Sequence, residues 1–150
     1  MIQLILHLAG DYIFQSDWMA QNKTKSSWAA LCHATVYSLP FLFIGSLEAV
    51  FVIWSTHFFI DRFRLARYVC WAKDRILSPW PVLPDVSGLG EAEYDEALKK
   101  YHDTTIENSW INCSGTGYPA SKPAWLAVWL MIAADNTIHL AINYAALTYL

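Results

Sequence analysis

The chain has 150 residues, enough for one domain over residues 1–150 and little else. Apolar residues make up 55% and charged residues 15%, against roughly 25% charged in soluble domains, so an ordinary water-facing surface is disfavoured. A net charge of −3 with no basic stripe speaks against nucleic acid as a partner. Three scattered cysteines (Cys32, Cys70, Cys113) form no C-x-x-C pair and argue against a disulfide framework.

Four apolar segments follow in chain order, and the expected fold is an all-α polytopic membrane bundle of about four transmembrane helices. The first covers residues 2–19. It lacks a basic n-region and a small-x-small cleavage site, and it carries His7 and Asp11 in its middle, so it reads as a retained helix rather than a signal peptide. The second covers 27–44 and contains Pro40, which removes a backbone donor and should kink it. Gly45-Ser46 marks a turn. The third covers 47–73, apolar to Ile60 and then basic and amphipathic. The fourth covers 123–149, with Pro123 suited to a first helical turn and Ser121 a candidate cap. Each is about long enough for a hydrocarbon core of roughly 30 Å.

Residues 74–122 differ in kind. Pro79, Pro81 and Pro84, then Gly88 and Gly90, precede an acidic helix candidate at 91–102 and a polar stretch from Cys113 to Lys122. This predicts an extramembrane loop with one short helix.

The positive charges give a topology. All ten Lys and Arg fall in three places: Lys23 and Lys25, Arg62 to Arg75, and Lys99, Lys100 and Lys122. Four alternating crossings would put all of them on one side. By the positive-inside rule that side is the cytoplasm, which predicts a multi-pass protein of a bacterial inner membrane, its long loop cytoplasmic and both termini outside. Trp18, Trp125 and Trp129 are then interface residues.

Ionisable residues inside apolar segments are costly and point to function. Segment one holds His7 and Asp11, segment three His57 and Asp61, and segment four Asp135 and His139. Each pair is spaced i, i+4 and shares one helix face. Segment two adds a lone His33. Segments one and three read His then Asp, whereas the oppositely directed segment four reads Asp then His, so all three pairs would place Asp on the same side. A single such His is commonly a packing residue, and polar pairs can serve as helix glue. Three pairs of matched polarity point further, to metal. His7, Asp11, His33, His57, Asp61, Asp135 and His139 form a mixed O/N ligand set that suits one or two divalent ions of Zn, Mn or Fe.

The stretch His7-Leu-Ala-Gly-Asp11, the isolated His33, His57-Phe-Phe-Ile-Asp61 and Asp135-Asn-Thr-Ile-His139 resemble a family of small bacterial and phage membrane proteins catalogued as a domain of unknown function. Its pattern is H-x-x-x-D, H, H-x-x-x-D and D-Q-x-x-H; Asn136 stands here where Gln is commoner. The family in turn resembles membrane-bound metal-dependent hydrolases, which implies hydrolysis.

The expected function is therefore metal-dependent hydrolysis of a phosphoester or lipid-linked substrate at the bilayer. Asp11, Asp61, Asp135 and His33 would carry the chemistry, with Arg62 and Arg64 gripping a phosphorylated substrate. A transporter or proton relay would use the same buried residues as a pathway. A phage-encoded membrane effector would use them for stability alone. His102-Asp103 sits in a polar loop, Ser114-Gly-Thr-Gly is too short for a phosphate loop, and no G-x-S-x-G elbow exists.

Overall fold

A computed structural model describes residues 1–77 and 83–150. Pro79 and Pro81, read above as loop-forming, lie outside the described residues. Every regular element among the described residues is helical. Contacts divide the chain into two compact units, Met1–Ala66 with Ala133–Leu150, and Arg67–Ile132.

In the first unit, α1 (Ile2–Tyr12) stops early, and Ser16 starts a new helix by accepting the Met19 N–H on its Oγ at 3.3 Å. That helix, α2 (Asp17–Asn22), carries Asp17 in its first turn, where the helix dipole favours an acid. The expected single helix over 2–19 is thus broken by an N-cap signal inside it. Ser26 caps α3 (Ser27–Ser38). Pro40 then tightens the chain into a 3-10 helix, Leu39–Phe43, rather than kinking a continuous α-helix. Ser46 caps α4 (Leu47–Phe63), its Oγ 3.1 Å from the Ala49 nitrogen.

The third segment, expected as one helix over 47–73, also breaks. Arg64 adopts the left-handed conformation (φ 50°, ψ 51°), while the Arg64 and Leu65 N–H groups close back onto the carbonyls of Asp61 and Ile60. This is the hydrogen-bond logic of a helix C-terminus, here without the usual Gly. The chain restarts as α5 (Ala66–Leu77).

The second unit contains most of α5, then α6 (Glu91–Glu107), α7 (Trp110–Cys113) and the start of α8 (Ala124–Tyr149). The region read as a loop with one short helix holds a 17-residue helix and a further turn. Tyr68 stacks on Trp110 at 4.5 Å, and Arg67 lies over both rings. Gly117 has φ +86°, and a Cβ there would collide with the Arg67 carbonyl oxygen.

The first unit buries small residues where α3 meets its neighbours: Ala29, Ala30 and Ala34 are fully buried. Its apolar cluster comprises Tyr37, Phe41, Ala49, Ile53 and Ala146. Many other large apolar side chains are exposed, among them Ile5, Ile13, Phe43, Leu47, Phe51 and Phe59. His7, His33, His57, Asp61, His139 and Asn143 lie inside. Among the described residues, one helix, Ala124–Tyr149, is long and apolar enough by itself to cross a membrane. The breaks after Tyr12 and Phe63 and the 3-10 turn after Ser38 leave the other segments shorter than the sequence pattern implied.

Candidate metal centre

Four helices of the first unit each bring polar side chains to one buried point. Asp11 comes from the last turn of α1, His33 from the middle of α3, His57 and Asp61 from successive turns of α4, and His139 from α8. Small residues allow this approach: a Cβ on Gly10 would lie 2.5 Å from Cδ2 of Tyr37, so α1 can rest on α3 only with glycine beside Asp11.

The ligand-type atoms crowd together. The Nε2 atoms of His33 and His57 are 2.9 Å apart. Asp61 Oδ2 lies 3.1 Å from His33 Nε2 and 3.2 Å from His57 Nε2, and Asp61 Oδ1 lies 3.5 Å from His139 Nε2. Asp11 Oδ1 is 3.3 Å from His33 Nε2 and 3.5 Å from His57 Nε2. Two triads result, Asp11–His33–His57 and His57–Asp61–His139, with ligand atoms within 4.8 Å of one another. These buried His and Asp groups can hold a metal ion.

The contacts are not those of a satisfied hydrogen-bond network. Asp61 Oδ2 has three nitrogens within 3.2 Å, yet neither it, nor Asp11 Oδ1, nor His139 Nε2 has a partner in hydrogen-bonding geometry. Buried polar atoms left this way are costly. Apart from the His33–His57 hydrogen bond, these atoms gather within ligand distance of one another with their own bonding left incomplete. Divalent ions bind N and O ligands at about 2.0–2.2 Å, which places neighbouring ligand atoms about 3.0–3.5 Å apart, the spacing seen here. The donor set fits an ion.

His7 and Asp135 stand apart from both triads. Tyr37 Oη lies 2.7 Å from His7 Nδ1, and Asn136 Oδ1 lies 3.1 Å from His7 Nε2. Asn143 donates its amide to Tyr37 Oη at 2.7 Å, and Asn136 donates to Tyr12 Oη at 3.0 Å. Tyr37, accepting from Asn143, donates to His7 Nδ1, and His7 therefore carries its proton on Nε2 and gives it to Asn136. Both His7 nitrogens are engaged, so His7 supports the cluster from behind. The Tyr37 ring also stacks on His57 at 3.6 Å and 16°, fixing that imidazole's plane. Asp135 is 26% exposed, with Oδ2 3.6 Å from His139 Nε2, at the rim.

Of the two arginines expected to grip substrate, Arg62 is engaged with the α2–α3 connection and Arg64 stands at the end of a helix. Arg62 donates to the Thr24 carbonyl at 2.8 Å and to Ser27 Oγ at 3.1 Å, clamping the α2–α3 connection. Arg64 is the left-handed residue that ends α4. His102 and Asp103 lie on α6 of the second unit.

Sequence patterning overlooked Lys23. Its Nζ lies 2.9 Å from Asp61 Oδ2 and 3.3 Å from His33 Nε2. Burial works against its charge, but Asp61 and Asp11 more than offset that and raise its pKa above the ordinary lysine value. Tyr37 and Asn143 were also missed. The one signal available was a polar or phenolic residue lodged in an otherwise apolar helix.

Residues 1–77 match the family model described as Protein of unknown function (DUF3307). That stretch carries Asp11, Lys23, His33, Tyr37, His57 and Asp61, whereas Asp135, Asn136, His139 and Asn143 lie beyond it. No curated protein and no solved structure matches the chain.

Proposed function

The chain belongs to the DUF3307 family, and we propose that it is a membrane-embedded, metal-dependent hydrolase of phosphoester or lipid-linked substrates. One observation carries this reading: buried oxygens and nitrogens from α1, α3, α4 and α8 converge at ligand spacing, with Asp11 Oδ1, Asp61 Oδ2 and His139 Nε2 left without a hydrogen-bond partner. The mixed oxygen and nitrogen donors favour Zn, Mn or Fe over Ca. His57 belongs to both triads, so the set can serve one ion or two adjacent ones.

The bilayer is supported by the inverted distribution of side chains in the first unit. Four imidazoles and Asp61 are buried in its interior while Phe43, Leu47 and Phe51 are 90%, 76% and 64% exposed. In water such a surface is a liability, and in lipid it is the expected one. Pairing α1 with α2, and α3 with its 3-10 extension, restores lengths suited to the four crossings that the charge pattern predicts.

A divalent ion at this point would lower the pKa of a bound water and polarise a scissile ester. The chain's own residues then divide the work. Asp11, His33, His57, Asp61 and His139 would hold the ion, with Tyr37 and His7 fixing the ligand planes from behind. Asp135, the most exposed of the three carboxylates, would be the residue placed to hold a proton at the rim.

The test is elemental analysis of detergent-purified protein beside Asp61→Asn and Asp135→Asn, with helicity checked by circular dichroism. Wild type should carry a stoichiometric transition metal, Asp61→Asn should lose most of it, and Asp135→Asn should retain it. Equal metal in wild type and folded Asp61→Asn would remove the proposal.

A further inference from the structure

Lys23 belongs to neither triad, and the hydrolase reading assigns it nothing. Its ammonium is nonetheless the cation built into the cluster. The distances from Nζ to Asp61 Oδ2 and His33 Nε2, 2.9 and 3.3 Å, match those the ligand atoms keep among themselves. Nζ therefore stands on the Asp61–His33 edge, about as close to those two atoms as they are to each other. Lys23 is also partly exposed, at 19%, while His33 and Asp61 are buried behind it. It marks the side of the cluster that opens outward.

A protonated amine does not ligate a metal. An ion held by Asp61 and His33 would repel the ammonium and displace it from that edge. Its protons then point at whatever occupies the vacated position. The backbone keeps it there: the Lys23 N–H bonds the Met19 carbonyl at 2.8 Å, and Arg62 clamps Thr24, the next residue. The tether is short and the side chain alone moves.

We infer that Lys23 guards the open coordination position and makes this site a receptor for an oxyanion of the phosphate class, one oxygen on the metal edge and another on the ammonium. The inference rests on the metal reading above and adds to it the substrate-contacting residue. It moves the anion grip from Arg62, committed to Thr24 and Ser27, to Lys23. A monoester or diester phosphate fits, since it offers several oxygens around one centre and a charge that both cations attract.

Calorimetry on the detergent-solubilised full chain separates the parts. Manganese is titrated first into wild type, Lys23→Met and Lys23→Arg. Inorganic phosphate, glycerol phosphate and mixed micelles containing phosphatidic acid are then titrated into the manganese-loaded proteins. Lys23→Met should bind manganese as tightly as wild type or more tightly, because the competing ammonium is gone. It should bind phosphate about tenfold or more weakly, the loss expected for one charge-assisted hydrogen bond, with Lys23→Arg recovering most of it. Binding confined to phosphatidic acid micelles and lost in Lys23→Met supports the same role with a lipid headgroup as the source; binding of the soluble phosphates supports a free one. Equal phosphate-class affinity in wild type and Lys23→Met overturns the inference while leaving the metal centre standing. Manganese affinity that falls in Lys23→Met overturns it too, by making Lys23 a support for Asp61. No manganese binding by any of the three removes this inference and the metal reading together.

Discussion

Tyr37 does two things with one ring. Its hydroxyl takes the Asn143 amide proton and gives its own to His7, while its face packs on His57. Tyr37→Phe separates these, because it keeps the stack and deletes the hydroxyl. Two buried groups, His7 Nδ1 and Asn143 Nδ2, would then lack a partner, at a cost of about 1–3 kcal/mol. Thermal unfolding in detergent should show a clear drop in Tm with native helicity retained; an unchanged Tm would mean that water replaces the hydroxyl. The paired histidines and aspartates were legible in the sequence, since i, i+4 spacing on apolar helices leaves such residues only one face to share. Tyr37 was not, because a tyrosine in an aromatic-rich chain carries no pattern of its own. Lys23 was hidden for another reason: basic residues between apolar segments read as topology signals, and only the fold of α2 against α3 turns this one inward.

Caps and breaks decide where helices end, and they explain which boundaries could be read. Ser26 and Ser46 cap α3 and α4, whose starts coincide with the segment starts at residues 27 and 47 read from the sequence. Ser16 does the same for α2, but an apolar run on both sides masked it. The end of α4 carried no such signal, for Arg64 occupies a conformation that usually announces itself as glycine. That break frees Arg62 to reach sideways to the connection bearing Lys23. Arg62→Ala removes two hydrogen bonds from a charged donor, at about 1.5–3 kcal/mol each when buried and less at this partly exposed position. Trypsin should then cut after Lys23 or Lys25 faster than in wild type. If the cleavage rate stays the same, the guanidinium is not what holds the turn.

At the scale of the first unit, imidazoles and carboxylates share the interior with a small apolar cluster while many large apolar side chains face outward. A substitution on its outer face tests what surrounds it. Phe59, 54% exposed on α4, is not among the candidate ligands described above. In water, Phe59→Lys at such a position would be nearly neutral, within about 0.5 kcal/mol. In hydrocarbon a lysine costs about 2.5–3.5 kcal/mol near the middle of a helix. The expected outcome is loss of the protein from the membrane fraction and a fall in yield, read by fractionation and immunoblot; an abundant, soluble Phe59→Lys protein would contradict the bilayer reading.

The cluster draws on both ends of the chain, Asp11 near the start and His139 near the finish. A ribosome delivering this protein therefore completes α1, α3 and α4 well before the last imidazole exists. Until α8 emerges, Asp61 Oδ1 lacks its neighbour and the nascent bundle holds two carboxylates with an incomplete set of basic partners. Lys23, synthesised early and already beside Asp61, is the counter-charge at hand during that interval. Arrested chains lacking α8 should depend on it more than the finished protein does.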